Sequence, residues 1–345
     1  MKKFLLIALG VVLATALVAV AAIQLPGLIS GQSLNPSATP SATPTPVEYA
    51  PLSGVPVTFG SLDHPVLMAK IDNSPEARPQ VGLNDADIVF EELVEGGLSR
   101  YLAIWHSVIP TDIGSVRSIR PMDPDIALPF GGVIAYSGGQ QRFVQMMIDT
   151  GLENVIHGQS GTEAYIYRSD TKIAPHNVIV RAKELIEARS DLAPPAPAFE
   201  FAGDGVVPSA LAEGKTARRL IASFSRYNSP SWEFDPQSGV YGRLQAGGER
   251  DVDEHDEQLT ARNVVVQLVD ESSEYGDVPK ALVVGEGVAW ISTGGKTVEA
   301  TWTKELANAM TVFTLGNGEI VTLAPGRTWI ELVPTSTGFF QAKRR

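Results

Sequence analysis

The chain has 345 residues, of which 44% are hydrophobic, and its formal net charge is -12. This length suits a leader followed by two globular domains, and the hydrophobic content is sufficient for their cores. The acidic balance argues against nucleic acid as a partner because phosphates need a basic surface. The sequence has no cysteine, which excludes disulfides, thiolate catalysis and Cys-ligated metals.

The amino terminus is predicted to be a membrane leader. Lys2 and Lys3 precede an uncharged apolar run from Phe4 to Ile23, which at about 20 residues is long enough to span a hydrocarbon core as a helix. The lysines are expected to stay cytoplasmic, so the body lies outside the cytoplasm. We favour a single-pass signal-anchor over residues 1–24 that makes the membrane a partner. A cleaved signal peptide and a secreted body stay open, because Ala19-Val20-Ala21 fits a cleavage site.

A tether is predicted over residues 25–55. Its prolines alternate with Ser, Thr and Ala, a composition that cannot bury apolar area and favours disordered or polyproline-like chain. At about 3.1 Å per residue, the stretch 31–50 would reach roughly 60 Å, which would hold the body away from the membrane.

The first globular segment, residues 56–200, is predicted to be a mixed α/β domain, because strands alternate with helices. One strand, Arg100–Val108, carries apolar residues at both odd and even positions, which predicts a central strand covered on both sides. The other predicted elements are the strands Val66–Ile71, Ile88–Val94, Gly131–Tyr136 and Val178–Val180 and the helices Gln140–Ile148 and Ala182–Ala188.

The second segment, residues 215–340, is predicted to be a mainly antiparallel β domain. A proline-rich stretch at 193–197 marks the boundary, and Gly294-Gly295 and Asn317-Gly318 indicate tight hairpins. The overall fold class is therefore predicted to be α+β. The strands are expected at Ser231–Phe234, Val240–Leu244, Asn263–Val269, Ala281–Val284, Val288–Ser292, Thr297–Trp302, Met310–Leu315 and Thr328–Val333.

A pocket for an anionic ligand is predicted in the first segment, since arginine forks bind carboxylates and phosphates. The alternative is a set of structural Arg–Glu pairs. If the segment around Arg117 and Arg120 is extended, these two side chains point to opposite faces and need not share a site. The candidate ligand-binding residues are Asp72, Asn73, Arg78, Arg100, Arg117 and Arg120.

Three residues are candidate catalytic groups: Glu91 and Glu95 as acid or base, and His176 as a general base. Ser115 lacks the Gly-x-Ser-x-Gly context of a hydrolase nucleophile. Phosphate-cradling and zinc motifs are missing as well, so neither a cofactor nor a metal is predicted. The acidic run 251–257 is interpreted as a solvated loop because it lacks the order of a calcium loop.

The segments together resemble the YerB-like family of bacterial envelope proteins, classed as a domain of unknown function (DUF 3048). The resemblance covers most of residues 50–335 and implies an α/β domain followed by a β domain, with no established catalytic residue. Family members are often lipoproteins, whereas this chain has no cysteine for lipid attachment, so a transmembrane helix is expected in place of the lipid. The matching stretches include Ala77-Arg78-Pro79-Gln80, Gly114-Ser115-Val116-Arg117-Ser118, Ala174-Pro175-His176-Asn177, Thr301-Trp302 and Pro325-Gly326-Arg327-Thr328-Trp329-Ile330.

Three functions are compatible with these observations. The first, which we favour, is a non-catalytic, membrane-tethered envelope protein that binds a wall component or a wall-enzyme partner. The second is an envelope enzyme acting on peptidoglycan glycan or peptide with a Glu acid/base and an arginine anion clamp. The third is capture of a small anion without turnover. A cleft that exposes the glutamates and arginines would favour the second or third, and their burial in mutual pairs would exclude both.

Overall fold

Residues 47–344 are described by the computed structural model of the chain. The predicted leader (1–24) and most of the predicted tether (25–55) lie outside the described residues. Within residues 47–344, no helix is long and apolar enough to cross a membrane.

Most of the regular structure is β. Within the segment 56–200 and just before it, the strands are β1 (Val47–Tyr49), β2 (Pro56–Thr58), β3 (Leu67–Asp72), β4 (Ile88–Leu93), β5 (Ser99–Trp105), β6 (Asp112–Gly114), β7 (Val133–Tyr136), β8 (Glu153–Ile156), β9 (Ile166–Arg168), β10 (Val178–Arg181) and β11 (Glu200–Phe201).

The remaining strands confirm the β-rich character of the second segment. They are β12 (Lys215–Thr216), β13 (Arg219–Ser223), β14 (Ser231–Asp235), β15 (Val240–Leu244), β16 (Thr260–Ala261), β17 (Asn263–Ser272), β18 (Lys280–Leu282), β19 (Gly285–Thr293), β20 (Lys296–Lys304), β21 (Val312–Thr314), β22 (Thr322–Leu323), β23 (Thr328–Pro334) and β24 (Phe339–Lys343). Thr293 pairs with Lys296 across the predicted Gly294-Gly295 turn.

Helices are few and short in the described part of the chain, so the fold is mainly β and the mixed α/β character expected of the first segment is not confirmed. Prolines explain part of this: Pro124 and Pro129 sit in the first turns of consecutive short helical pieces, and proline is tolerated only there. The α-helices are α1 (Asp123–Ala127), α2 (Gln141–Ile148), α3 (Ala182–Glu187) and α4 (Ser209–Glu213), and 3-10 turns occur at Pro75–Ala77, Leu83–Asp85, Glu95–Gly97 and Leu128–Phe130.

One large sheet organises the fold and takes strands from both predicted segments. Its strand order is β12-β20-β19-β17-β23-β4-β5-β3-β7-β8, with β18 and β21 added beside β17 and β20. The strands β17, β23, β4, β3, β7 and β8 run in one direction, and β5 runs the opposite way between β4 and β3. Within this sheet the two segments are joined by the parallel pair β4–β23, in which Glu91 is the register partner of Glu331.

Smaller sheets cover the large one. Strands β16-β15-β14-β13-β24 form a five-stranded sheet, β6-β10-β9 a three-stranded sheet, and β1-β2 and β11-β22 form pairs. Trp232 of the five-stranded sheet packs against Trp329 of β23, with ring centroids 5.1 Å apart.

The central strands are buried on both faces, which confirms the prediction for the strand beginning near Arg100. Leu102 of β5 packs in the apolar cluster that contains Phe143 of α2. Its neighbour Ala103 packs in the opposite cluster with Trp232 and Tyr241. Because successive side chains of a strand alternate between faces, polar residues near the strand ends must also divide between two sides of the sheet.

Candidate functional site

The candidate site lies at the edge of the sheet where β3 and β4 end and β5 begins. Asp72 is the last residue of β3, and Arg100 is its register partner on β5. Arg100 is also the register partner of Glu92 on β4. These three side chains therefore leave the same face of the sheet, because directly opposed residues point the same way.

Arg100 is the centre of the cluster. Its Nη1 donates a hydrogen bond to the Ser118 carbonyl at 2.9 Å, and within residues 47–344 its guanidinium forms no ion pair. Burial, together with the charges of Arg120 and Arg117, lowers the pKa of Arg100 to about 10. The carboxylates of Asp72 and Glu95 oppose this lowering of the pKa only in part, so the site holds a guanidinium without an ion-pair partner of its own in the described part of the chain.

The two other arginines flank Arg100 and bind different carboxylates. Arg117 Nε lies 3.1 Å from Asp72 Oδ2, and Arg120 Nε lies 2.8 Å from Glu95 Oε2. The sequence pattern indicated that these two arginines need not share a site, whereas the fold brings both of them close to Arg100.

Asp72 joins this cluster to the candidate base. Its Oδ2 lies 2.8 Å from His176 Nδ1, and its Oδ1 accepts a hydrogen bond from Ser74 N at 3.1 Å. Burial opposes ionisation of Asp72, but the Ser74 and His176 hydrogen bonds and the nearby arginines lower its pKa below the ordinary value. A stable carboxylate therefore orients the imidazole.

A fully buried lysine lies beneath the cluster and was missed by the sequence analysis. Lys70 Nζ forms ion pairs with Glu92 and with Asp123 Oδ1, the latter at 2.7 Å. Burial lowers the pKa of Lys70 to about 8, while Asp123 opposes that shift. The available signal was a single charge in the otherwise apolar run 66–71. Because its side chain has no exposed surface, Lys70 cannot touch a ligand at the surface, and the charges of Arg100 and Arg120 add to the lowering of its pKa.

Glu91 is placed on the other face of the sheet, inside the protein. Its carboxylate accepts hydrogen bonds from Ser99 Oγ and from Arg243 Nη2, each at 2.5 Å. Arg243 also binds Asp251 Oδ2 at 2.5 Å. Glu91, Arg243 and Asp251 are almost completely buried, so Glu91 cannot touch a ligand at the surface in this conformation.

Asn73 and Arg78 lie on the Glu91 side of the site. Arg78 Nη2 donates to the Asn73 carbonyl at 2.7 Å and its Nε donates to Asn73 Oδ1 at 3.1 Å. Asn73 Nδ2 in turn lies 2.9 Å from Ser99 Oγ. The predicted ligand-binding and catalytic residues are therefore divided into the buried Glu91, the bracing pair Asn73 and Arg78, and an arginine cluster. The arginine cluster consists of the ligand-binding candidates Asp72, Arg100, Arg117 and Arg120 and the catalytic candidates Glu95 and His176.

The acidic run 251–257 is only in part the solvated loop that was predicted: Glu254 to Glu257 are exposed, but Asp251 and Asp253 are buried and the run docks on the first segment. Asp253 is buried and accepts a hydrogen bond from Asn84 Nδ2 at 2.9 Å. Glu254 accepts one from the Gly82 amide at 2.9 Å. Within residues 47–344, no group of three or more His, Asp or Glu side chains is arranged to hold a metal ion.

Comparison with known proteins agrees with this architecture. The model of the N-terminal domain of a protein of unknown function (DUF3048) matches residues 52–194, and the model of its C-terminal domain matches residues 220–330. "Putative lipoprotein YerB" of Bacillus subtilis (strain 168) is 23% identical over 294 residues, covering 83% of this chain and 86% of that protein.

A solved structure shares the fold. The crystal structure of YerB from Bacillus subtilis superposes with a TM-score of 0.73 at 21% identity, over 85% of this chain and 99% of that chain. Both halves of the chain are thus matched in sequence and in structure, and the chain belongs to the DUF3048 family of proteins of unknown function.

Proposed function

We propose that this protein is a membrane-tethered extracytoplasmic envelope protein that binds an anionic group of an envelope component at the arginine cluster, without turnover. The observation that carries the proposal is Arg100, a partly buried cation that forms no ion pair within residues 47–344 and has two further arginines beside it.

The electrostatics of the cluster explain why an anion would bind. Asp72 and Glu95 pair with Arg117 and Arg120, so Arg100 has no carboxylate partner of its own within residues 47–344. The second carboxylate of the buried group Lys70, Glu92 and Asp123 lies beneath the cluster and forms no ion pair with Arg100 among the described residues. A carboxylate or phosphate beside Arg100 would accept charge-assisted hydrogen bonds from its fork and would relieve the repulsion among the three guanidinium groups.

The location rests on two further observations. The predicted leader and tether would place the body outside the cytoplasm. The Bacillus relative carries a name that describes a lipoprotein. In this chain, which has no cysteine, the apolar run 4–23 is the proposed anchor.

The test is sedimentation of the purified full-length protein with isolated cell-wall fragments, carried out before and after their phosphate polymers are removed. We expect Arg100→Gln to weaken binding by about tenfold or more, the value of one charge-assisted hydrogen-bonded pair. Arg219→Gln is the matched control because Arg219 forms an exposed pair with Glu233 at 3.4 Å on the five-stranded sheet. Equal binding by wild type and a folded Arg100 variant would refute the proposal, and loss of binding with the phosphate polymers would identify the anion as phosphate.

One observation favours an enzyme as the second candidate. Asp72 holds Nδ1 of His176, and Nε2 of that ring has no hydrogen-bond partner within residues 47–344, the arrangement of an oriented general base. Glu91 is buried and Glu95 is paired, so His176 replaces the glutamates as the best-placed base for hydrolysis of peptidoglycan glycan or peptide. Release of soluble fragments by wild type, lost in a folded His176→Ala variant, would establish this activity, and no release by wild type would exclude it.

A further inference from the structure

A cavity lies at the opposite edge of the large sheet, where β4, β17 and β23 begin. It is open to solvent, has a volume of about 490 Å³, and is lined by residues of both family segments. This volume falls within the roughly 300–1,000 Å³ of small-molecule sites.

The cavity carries side chains of both charges that form no ion pair with each other in the described part of the chain. Asp85, Arg262 and Arg327 all line it, and the charge of Arg327 acts on Asp85 without a direct contact. Within residues 47–344, no ion pair joins Asp85 to either arginine, and no group donates a hydrogen bond to the Asp85 carboxylate. Asp87 also lines the cavity, but its Oδ2 accepts hydrogen bonds from the backbone amides of His106 and Ser107, each at 2.7 Å. Asp87 is therefore engaged by the protein itself.

Arg262 is positioned by the backbone around it. Its Nη1 donates to the Gly239 carbonyl at 2.7 Å, while its Nε and Nη2 have no partner within the part of the chain that the structure describes. A Cβ at Gly326 would lie 2.7 Å from the Arg262 Cβ, and a Cβ at Gly239 would lie 2.6 Å from Nη1. The two glycines therefore make room for this guanidinium and fix its place.

Arg327 is committed to the protein, whereas the rest of the wall is apolar. Arg327 Nη1 donates to Asn84 Oδ1 at 3.0 Å and its Nη2 donates to Thr260 Oγ1 at 2.5 Å. The apolar lining consists of Val55, Val108, Val240 and Pro325. The cavity thus offers a free carboxylate, a free edge of a guanidinium and an aliphatic surface.

We propose that this cavity binds a small zwitterion with an aliphatic side chain, a free amino acid or a dipeptide. The ammonium group would contact Asp85, the carboxylate would accept hydrogen bonds from Arg262, and the side chain would cover the valines. An occupant with both charges is favoured because it alone gives a charged partner both to the exposed Asp85 carboxylate and to the half-buried Arg262 guanidinium. This site is independent of the arginine cluster and lies at the other edge of the sheet.

The experiment is isothermal titration calorimetry of the purified full-length protein in mild detergent, with valine and alanyl-valine as zwitterionic probes. N-acetyl-alanyl-valine lacks the ammonium group, and alanyl-valine amide lacks the carboxylate. We expect both blocked dipeptides to bind at least about tenfold more weakly than alanyl-valine, since each loses one charge-assisted contact.

The variants separate this site from any other. In Asp85→Asn the free and N-acetylated dipeptides should bind equally, and in Arg262→Gln the free and amidated dipeptides should bind equally. Should the glutamine variant not fold, Arg262→Lys is compared instead. Because it keeps the positive charge, alanyl-valine should still bind more tightly than alanyl-valine amide, and equal binding of the two would contradict the proposal. Asp170→Asn, a change at an exposed carboxylate outside the cavity lining, should behave as wild type. No binding of the zwitterions at millimolar concentration, equal affinity for the blocked dipeptides, or unchanged binding by the Asp85 variant would each overturn the proposal.

Discussion

Replacement of Arg243 tests whether the buried charge network joins the two segments. Arg243 belongs to β15, has no exposed surface, and binds Glu91 and Asp251 at 2.5 Å each. The rings of Tyr101, Trp232 and Trp329 surround its guanidinium with centroids 5.6, 5.8 and 5.1 Å from Cζ. Although burial opposes its charge, the neighbouring acids hold the pKa of Arg243 well above its ordinary value.

Arg243→Met keeps most of the side-chain volume but removes the cation, leaving two carboxylates buried without a positive partner. Breaking a buried pair in this way costs about 3–5 kcal/mol. Domains of ordinary stability have a free energy of unfolding of roughly 5–15 kcal/mol, so the variant is expected to lose a large share of it.

The assay is urea unfolding of wild type and variant at about pH 7.5 and about pH 5. The loss in free energy of unfolding should be smaller at the lower pH, because protonation then neutralises the Glu91 and Asp251 carboxylates that the substitution left unpaired. Adding Glu91→Gln to Arg243→Met should restore part of the stability. Arg219→Met, at an exposed pair, should cost at most about 1 kcal/mol. A cost for Arg243→Met no larger than that of the control would refute the reasoning.

Two further predictions concern a buried acid and a glycine. Burial, aided by the adjacent Glu91, raises the pKa of Glu331 in the folded protein well above its ordinary value. The stability that protonated Glu331 provides is therefore complete below the pKa of the unfolded chain, about 4.3, and is lost as the pH rises through the folded pKa. Glu331→Gln should therefore gain thermal stability relative to wild type as pH is raised, and a difference independent of pH would contradict this. Gly131 and Gly132 both have positive φ, of 68° and 71°, but only a Cβ at Gly132 meets another group, the Val66 carbonyl at 2.5 Å. Gly132→Ala should lower the midpoint of thermal unfolding more than Gly131→Ala. The Gly131 variant has only backbone strain of about 1–3 kcal/mol, because its ψ of -158° at positive φ is a conformation essentially restricted to glycine. Equal midpoints would show that the close approach does not matter.

Local patterns in the sequence were sufficient to locate most strands and the helix at Gln141–Ile148. They also predicted that the strand containing Leu102 and Ala103 is covered on both sides. These features follow from side-chain periodicity, which is a property of neighbouring residues. The candidates Arg100, Arg117, Arg120 and His176 were found because their residue types carry anion-binding or proton-transfer chemistry.

Only the tertiary structure decided which distant residues are partners. Glu91 and Glu92 are neighbours in the sequence, yet the strand sends Glu92 towards Lys70 and Glu91 towards Arg243, which is 152 positions away in the chain. The acidic run 251–257 looked solvated for the same reason, since its partners Gly82 and Asn84 lie in the other segment. By itself the sequence determined which residues can carry charge and which segments form strands. The packing of β4 beside β23 and beneath β15 determined which charges are buried in pairs and which, like Arg100, form no ion pair within residues 47–344, because the cost of burying a charge depends on the partner that the fold supplies.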